Sequence, residues 1–287
     1  MPHLAYQLNR PNQRNTSVIF ASPHSGRDYT QAFLDQVVLD ETVIRSSEDA
    51  YVDQLFAFAP SFGAPFLRAL APRAFVDLNR GPDELDPALI AGLQRKPQNP
   101  RIVSGLGVVP RVVAQGRHIY SGKIGLDEAH ARIANYWRPY HDQLQTLMDE
   151  SNRAYAESIL IDCHSMPHEA LSSMAHQNTT LPDIVLGDRF GSSAAPAIMD
   201  QVEQAFRNVG FRVARNTPFA GAYIVQQYGH PDRGQHAIQV EVDRRIYMNE
   251  QTFARNADFD DIKAAMTSVV EQIAAIGTPE DQKIAAE

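Results

Sequence analysis

Four apolar segments of this sequence each lead directly into side chains that can bind a ligand or move a proton. The segments and the residues that follow them are 17–22 with His24, 74–78 with Asn79 and Arg80, 158–162 with His164, and 236–240 with Glu241. In an open α/β sheet the ligand site lies beyond the carboxyl ends of the strands, because the loops there bring distant residues together. The sequence therefore predicts that two histidines, a carboxylate and an asparagine–arginine pair converge on one site.

Strand-like and helix-like patterns alternate along the rest of the chain. Strands are predicted at 17–22, 64–70, 74–78, 158–163, 183–187, 211–215, 222–227 and 236–242, and helices at 49–59, 126–156, 194–208 and 259–276. Pro60 is expected to end the first helix and Pro139 to kink the second. No linker or repeat divides the chain, so we expect a single domain over residues 1–287, a three-layer αβα sandwich around a mixed sheet.

Residues 81–125 are rich in proline and glycine and show little periodicity. A segment of this length without regular structure is unusual in a compact domain, and such loops usually act as lids or binding loops. We therefore expect residues 81–125 to form a long loop at the active site.

Composition and charge exclude several classes of partner. The net charge is 26 − 34 = −8, which argues against nucleic acid or an anionic membrane surface. The apolar runs are too short for a membrane helix, and the first ten residues lack the pattern of a secretory signal. A single cysteine excludes an intramolecular disulfide and fits the reducing cytoplasm. No pattern indicates an oligomeric state, and an anionic substrate would need local arginines.

His24 and His164 are candidate metal ligands, because each stands at the end of an apolar strand. A catalytic zinc site typically uses three protein ligands from histidine and acidic residues and leaves one position open. Glu48 and Asp49 are adjacent acids at the start of a predicted helix, and either could supply the third ligand or simply cap that helix. Cys163 is expected to face the core, because side chains alternate along a strand and His164 is its neighbour.

Glu241 lies in an apolar strand, where a buried carboxylate needs a partner or a function. It could pair with Arg80, Arg244 or Arg245, or it could be a general base that takes a proton from metal-bound water. Arg80 and the preceding Asn79 could bind a substrate carboxylate through the planar guanidinium, or could form a turn cap and a surface ion pair.

His168 follows His164 by four residues, a spacing that would place both on one face of a helix. Pro167 argues against a helix there, so His168 is expected to contact the substrate or to support a metal ligand from behind. Two histidines and a carboxylate suit Zn²⁺ but also accept Fe²⁺, Co²⁺ or Mn²⁺. The residues thus indicate a metal hydrolase that acts on an acidic substrate.

A series of short motifs runs through most of the chain. They are SPHSG at 22–26, ED at 48–49, VDLNR at 76–80, YWRPYH at 136–141, DCHSMP at 162–167, DIVLGD at 183–188, PFAG at 218–221, QVEVDR at 239–244 and YMNE at 247–250. In this order they resemble the N-formylglutamate amidohydrolases. The resemblance implies the phosphorylase/hydrolase-like αβα fold shared with zinc carboxypeptidases and aspartoacylase, and hydrolysis of N-formyl-L-glutamate to formate and L-glutamate in histidine degradation.

The same resemblance implies roles for individual residues. His24 and His164 match the metal ligands, Glu241 matches the base, and Asn79 with Arg80 matches the pair that binds the substrate carboxylate. The expected mechanism is attack of a zinc-activated water on the formyl or acyl carbonyl, with Glu241 as the proton acceptor.

The third ligand departs from the carboxypeptidase pattern, which places an acid three residues after the first histidine. That position is Arg27 here. The ligand is then Asp28, Glu48 or Asp49, and the family pattern favours Asp49. Arg73 resembles the arginine that polarises the scissile carbonyl in relatives.

Two alternatives stay open from the sequence. One is a different N-acyl amino acid deacylase or a carboxypeptidase-like zinc hydrolase, because related folds cleave different amides. The other is a metal-free protein of the same fold that binds carboxylates without catalysis. In the enzymatic cases the partner is a small anionic N-acyl amino acid.

Overall fold

The computed structural model describes residues 4–93, 99–174 and 180–279, and its strands form one sheet. The strands are β1 (Tyr6–Asn9), β2 (Val18–Ser22), β3 (Phe66–Ala69), β4 (Ser158–Met166), β5 (Ile184–Gly187), β6 (Val213–Arg215) and β7 (Gln235–Asp243). Their order across the sheet is β1-β3-β2-β4-β7-β5-β6. β2, β4 and β7 are parallel, whereas β5 runs antiparallel to β7 and parallel to β6. The predicted mixed sheet is confirmed.

Helices flank this sheet. They are α1 (Gln31–Leu34), α2 (Glu41–Ile44), α3 (Val52–Leu55), α4 (Pro100–Val103), α5 (Leu126–Arg132), α6 (Arg138–Tyr155), α7 (Pro196–Asn208), α8 (Tyr223–Tyr228) and α9 (Phe259–Ile276). A π-helical segment, Ile133–Trp137, joins α5 to α6 just before Pro139, which has no N–H for a helical hydrogen bond. The predicted helices at 126–156, 194–208 and 259–276 are confirmed. None of the helices in the described ranges is both long and apolar enough to cross a bilayer.

The chain forms two compact units that alternate along the sequence. The first comprises the described residues of Met1–Gln7, Pro23–Asp49 and Arg68–Gln143, and the second those of Leu8–Ser22, Ala50–Leu67 and Leu144–Glu287. Residues 81–125 belong to the first unit and are largely irregular, apart from α4 and a 3-10 turn at Ala114–Gly116; residues 94–98 lie outside the described part. A single domain over the whole chain stays a prediction.

In the second unit, alternation along β4 and β7 separates an apolar face from a polar one. Ile159, Ile161 and Cys163 of β4 pack into the main core together with residues of α7 and α9, and Cys163 is buried there as predicted. The other face carries Asp162, His164, Gln239 and Glu241. The sheet thus presents the candidate catalytic residues on the side opposite the core that stabilises it.

The predicted helix over residues 49–59 is wrong in its length. Only Val52–Leu55 is α-helical, and the chain then forms a 3-10 turn at Ala59–Phe62. Pro60 lies at the start of this turn and does not end a longer helix. Proline suits the first positions of a helical turn, because no N–H is needed there.

The predicted strand at residues 74–78 is also wrong, because these residues form turns. The Val76 N–H donates to the Pro72 carbonyl at 3.3 Å, and the Asp77 N–H donates to the Val108 carbonyl at 2.8 Å. Ala74, Val76 and Leu78 are buried all the same. Periodicity cannot separate a short buried apolar turn from a strand.

Residues 222–227 were expected to form a strand and instead begin α8. The β-branched pair Ile224 and Val225 favours a strand by propensity. In the fold, Ile224, Val225 and Tyr228 are buried together at helical spacing, and α8 packs against β7 and β4. Tertiary packing therefore overrides the local preference.

Candidate metal centre and active site

His24 and Asp49 lie next to each other in the first unit. The Asp49 N–H donates to the His24 carbonyl at 2.9 Å, and Nδ1 of His24 is 3.5 Å from Oδ2 of Asp49. Both residues are only 1% exposed. The backbone hydrogen bond therefore fixes the loop after β2 against the segment before α3 and sets the carboxylate beside the imidazole.

A second carboxylate holds the other side of the His24 ring. Nε2 of His24 is 2.7 Å from Oδ1 of Asp77, and Nε of Arg73 donates to Oδ2 of Asp77 at 3.1 Å. Burial would raise the pKa of the Asp77 carboxyl, but Arg73, His24 and Arg80 hold it well below its usual range. With Nε2 held by this carboxylate, Nδ1 of the ring is the atom that faces Asp49.

His164 has the same kind of support in the second unit. It lies within β4, where Nε2 of His164 is 3.0 Å from Oδ2 of Asp162, two residues earlier on the same face of the strand. The register pairs Asp162 with Ala21 of β2 and His164 with Glu241 of β7. β2 and β4 are therefore neighbours in the sheet, and His24 follows the last residue of β2 by two positions.

His24, Asp49 and His164 form a cluster that fits a metal ion. One ligand atom from each residue lies within 4.8 Å of the other two, and all three residues are buried. Two imidazole nitrogens and one carboxylate oxygen are the donors of catalytic zinc sites, which leave a fourth position open. The same donors accept Fe²⁺, Co²⁺ or Mn²⁺, so the donor set does not select among these metals.

The other acids considered as ligands have different surroundings. Oε2 of Glu48 accepts from Nε of Arg45 at 2.8 Å and from the Tyr29 hydroxyl at 3.4 Å, and burial raises the pKa of Glu48. The N-cap of α3 is Tyr51, so neither Glu48 nor Asp49 occupies the capping position. Asp28 is not a member of the histidine cluster that the described residues form.

Two aromatic side chains hold the turn that carries the asparagine–arginine pair. Nε1 of Trp137 donates to the Arg80 carbonyl at 2.9 Å, and Nε2 of His141 donates to the Leu78 carbonyl at 2.8 Å. The Trp137 and His141 rings are stacked with centroids 4.0 Å apart. The π-helical segment and the start of α6 thus fix the backbone on both sides of Asn79.

Arg80 is buried and does not form the surface ion pair that the sequence left open. Its Nε donates to the Leu106 carbonyl at 3.0 Å and its Nη1 to the Asn79 carbonyl at 2.8 Å. Burial lowers the pKa of Arg80, although nearby Asp77 favours the charged form. Within the part of the chain that the structure describes, no hydrogen bond reaches Nη2. The guanidinium can therefore still bind an anion.

Glu241 and His168 both belong to the second unit. Oε1 of Glu241 accepts from Nε2 of Gln239 at 2.7 Å, and the residue is 8% exposed. His168 begins the 3-10 segment that follows β4, so it does not share a helix with His164. Its Nδ1 is 2.7 Å from Oδ2 of Asp243, and its Nε2 is 3.2 Å from Nη1 of Arg245. His168 is partly exposed and held from two sides, which suits a contact with a ligand.

The sequence did not predict the side chains that contact the candidate ligands and base. Asp77 and Asp162 contact the two histidines, and Gln239 contacts Glu241. Each is a polar residue within an apolar segment, as Glu241 is. The criterion used for Glu241, a polar side chain in an apolar strand, would therefore also have identified these three residues.

Comparisons with known proteins agree on one family. The family model for N-formylglutamate amidohydrolase matches residues 16–248. A Pseudomonas aeruginosa protein named N-formylglutamate deformylase is 30% identical over 269 residues, which cover 91% of this chain and 93% of that protein. A protein of the same name from Pseudomonas putida is 29% identical and covers 83% of this chain and 84% of its own length.

A solved structure extends this similarity to the fold. The crystal structure of an N-formylglutamate amidohydrolase from Ralstonia eutropha superposes with a TM-score of 0.88 at 32% identity, covering 95% of this chain and 98% of that one. Residues 16–248, which the family model matches, contain every motif of the sequence resemblance except the last two residues of YMNE. The chain therefore belongs to the N-formylglutamate amidohydrolase family.

Proposed function

We propose that this protein is a metal-dependent amidohydrolase that converts N-formyl-L-glutamate and water into formate and L-glutamate. The observation that carries the proposal is the buried cluster of His24, Asp49 and His164 in a chain of this family. Relatives that match more than four fifths of the chain are named for this deformylation. The proposal includes the role in histidine degradation that the family resemblance implies, and the cytoplasmic location that the single cysteine favours.

His24, Asp49 and His164 would hold the metal, and zinc suits this donor set. When bound, a divalent metal in such a site lowers the pKa of a water molecule and polarises a carbonyl oxygen. Asp77 and Asp162 hold the imidazole rings through Nε2. Such carboxylate partners fix the tautomer and orientation of ligating histidines.

Glu241 would act as the general base. It pairs in register with His164, so the two side chains share one face of the sheet on neighbouring strands. The carboxylate would take a proton from the attacking water and return it to the amide nitrogen as the C–N bond breaks, which yields formate and the free amine. Arg73, held by Asp77, would stabilise the negative charge that develops on the formyl oxygen.

Arg80 and Asn79 would select an acidic substrate. A guanidinium binds a carboxylate through parallel N–H donors, and the turn that carries Arg80 is fixed by Trp137 and His141. Because the whole chain carries a net charge of −8, local positive charge is needed to attract an anion. His168 would contribute a further substrate contact.

The substrate proposal is tested with the N-formyl, N-acetyl and N-carbamoyl derivatives of glutamate, aspartate and glutamine, assayed for amine release. N-formylglutamate should give the highest kcat/KM. Arg80→Lys keeps a charge but loses the two-pronged contact, so its KM for N-formylglutamate should rise and its preference over the glutamine derivative should weaken. Arg101→Lys changes an exposed arginine of α4 in the same way and serves as the control.

Two other results would support a different function. A higher kcat/KM for an N-acetyl or N-carbamoyl derivative would identify a different N-acyl amino acid deacylase. Binding of these compounds without amine release, in protein that takes up no zinc from excess Zn²⁺, would identify a carboxylate-binding protein without catalysis.

A further inference from the structure

Gln239 contacts the candidate base from the same strand. It lies two residues before Glu241 on β7, so both side chains point to the same face of the sheet, and Gln239 is 5% exposed. Nε2 of Gln239 donates to Oε1 of Glu241 at 2.7 Å, and Oε1 of Gln239 accepts from the Ala222 N–H at 3.0 Å. A backbone N–H can only donate, so the amide oxygen must face Ala222 and the NH₂ group must face the carboxylate.

The donor at Ala222 depends on a close approach of two backbone segments. Gly187 of β5 is the register partner of Gln239, and a Cβ at Gly187 would lie 2.6 Å from the carbonyl carbon of Ala220. The chain before α8 therefore passes directly over β5, where only glycine leaves room. Gly221 supports this path with a φ of +110°, a conformation that other residues rarely adopt.

We propose that Gln239 is a positioning residue that orients the Glu241 carboxylate for proton transfer. The inference rests on the proposed function, in which Glu241 is the base. A carboxylate on a flexible side chain can rotate away from the attacking water, and small misplacements of reacting groups cost large factors in rate. The amide, anchored by a backbone N–H, restricts that rotation. If Gln239 served only to satisfy a buried carboxylate, its loss would affect stability and not turnover.

The test is a double-mutant cycle on kcat and KM for N-formylglutamate in metal-loaded enzyme. Gln239→Met keeps the length of the side chain but cannot donate, so kcat should fall on the order of tenfold while KM stays within about twofold and metal content is unchanged. Glu241→Gln alone should lower kcat by about 10²–10⁴. Without the base, Gln239→Met has nothing to orient, so the double variant should match Glu241→Gln within about twofold.

Gln235→Met is the matched control, because Gln235 begins the same strand and shares its polar face; its kcat should equal that of the wild type. If Gln239→Met does not fold, Gln239→Thr, which is smaller and suits a strand, takes its place in the cycle. A wild-type kcat in the folded Gln239 variant, or losses that multiply in the double variant, would overturn the positioning role alone. A near-normal kcat in Glu241→Gln would overturn the base assignment itself.

Discussion

At the scale of single residues, two adjacent acids with equal burial have different partners. Glu48 pairs with Arg45, whereas Asp49 lies 3.5 Å from the His24 ring and belongs to the histidine cluster. Asp49→Asn should therefore lose tight zinc binding, because a carboxamide is a much weaker ligand than a carboxylate. Glu48→Gln should keep it. Metal analysis after dialysis from excess Zn²⁺ distinguishes the two, and loss of zinc in Glu48→Gln alone would show that Glu48 is the ligand.

The sequence indicates the residues proposed to bind the metal or the substrate, but it does not indicate the side chains that contact those residues. His24 and His164 stand at the ends of apolar segments, where polar side chains are unusual, whereas Asp49 was favoured among the nearby acids by the family resemblance. Asp77 and Gln239 contact partners that only the folded chain identifies. Asp77 is 53 positions from His24 in the sequence, and Gln239 depends on a donor from the start of α8.

At the scale of elements, the long periodic helices and most of the short strands were predicted correctly, whereas two short apolar segments were not. The apolar stripe over 126–156 predicted the helix, yet it did not reveal the π-helical segment that places Trp137 beside the Arg80 turn. Residues 74–78 and 222–227 have the short apolar pattern that predicts a strand, and neither forms one. Whether such a segment forms a turn, a helix or a strand depends on the surfaces that it meets.

His141 on α6 gives this part of the fold a pH dependence. Burial lowers the pKa of His141 from 6.5 to about 4, although its hydrogen bond to the Leu78 carbonyl opposes the shift. Between these values the unfolded chain binds more protons than the folded one, so the stability from the neutral ring is complete above pH 6.5 and is lost as pH falls towards 4. When the pH falls from about 7.5 to about 5, the protonation of His141 in the unfolded chain should lower the free energy of unfolding by about 2 kcal/mol.

Urea denaturation at the two pH values measures this contribution. His141→Gln can still donate to the carbonyl but does not titrate, so its free energy of unfolding should fall about 2 kcal/mol less than that of the wild type over the same interval. His130→Gln replaces an exposed histidine of α5 and should leave the pH dependence unchanged. An identical pH dependence in the wild type and His141→Gln would show that the ring is not held neutral.

At the scale of the whole molecule, the alternation of elements predicted the fold class, and the ordered motifs predicted the family. The order of strands could not be predicted, because nothing in the sequence of β5 shows that it lies between β7 and β6, antiparallel to the first and parallel to the second. Register depends on which faces become buried once strands pair. The interleaved units also keep His24 and Asp49 in one unit and His164 in the other, a division that no linker in the sequence marks.

The central claim is that His24, Asp49 and His164 hold a metal on which hydrolysis depends. Bound zinc and formate release should be measured on the same samples, as protein stripped with a chelator is reconstituted with increasing Zn²⁺. The account predicts about one metal per chain, formate release that rises in proportion to occupancy, and neither metal nor release in His164→Ala. Full formate release from protein without bound metal would contradict it.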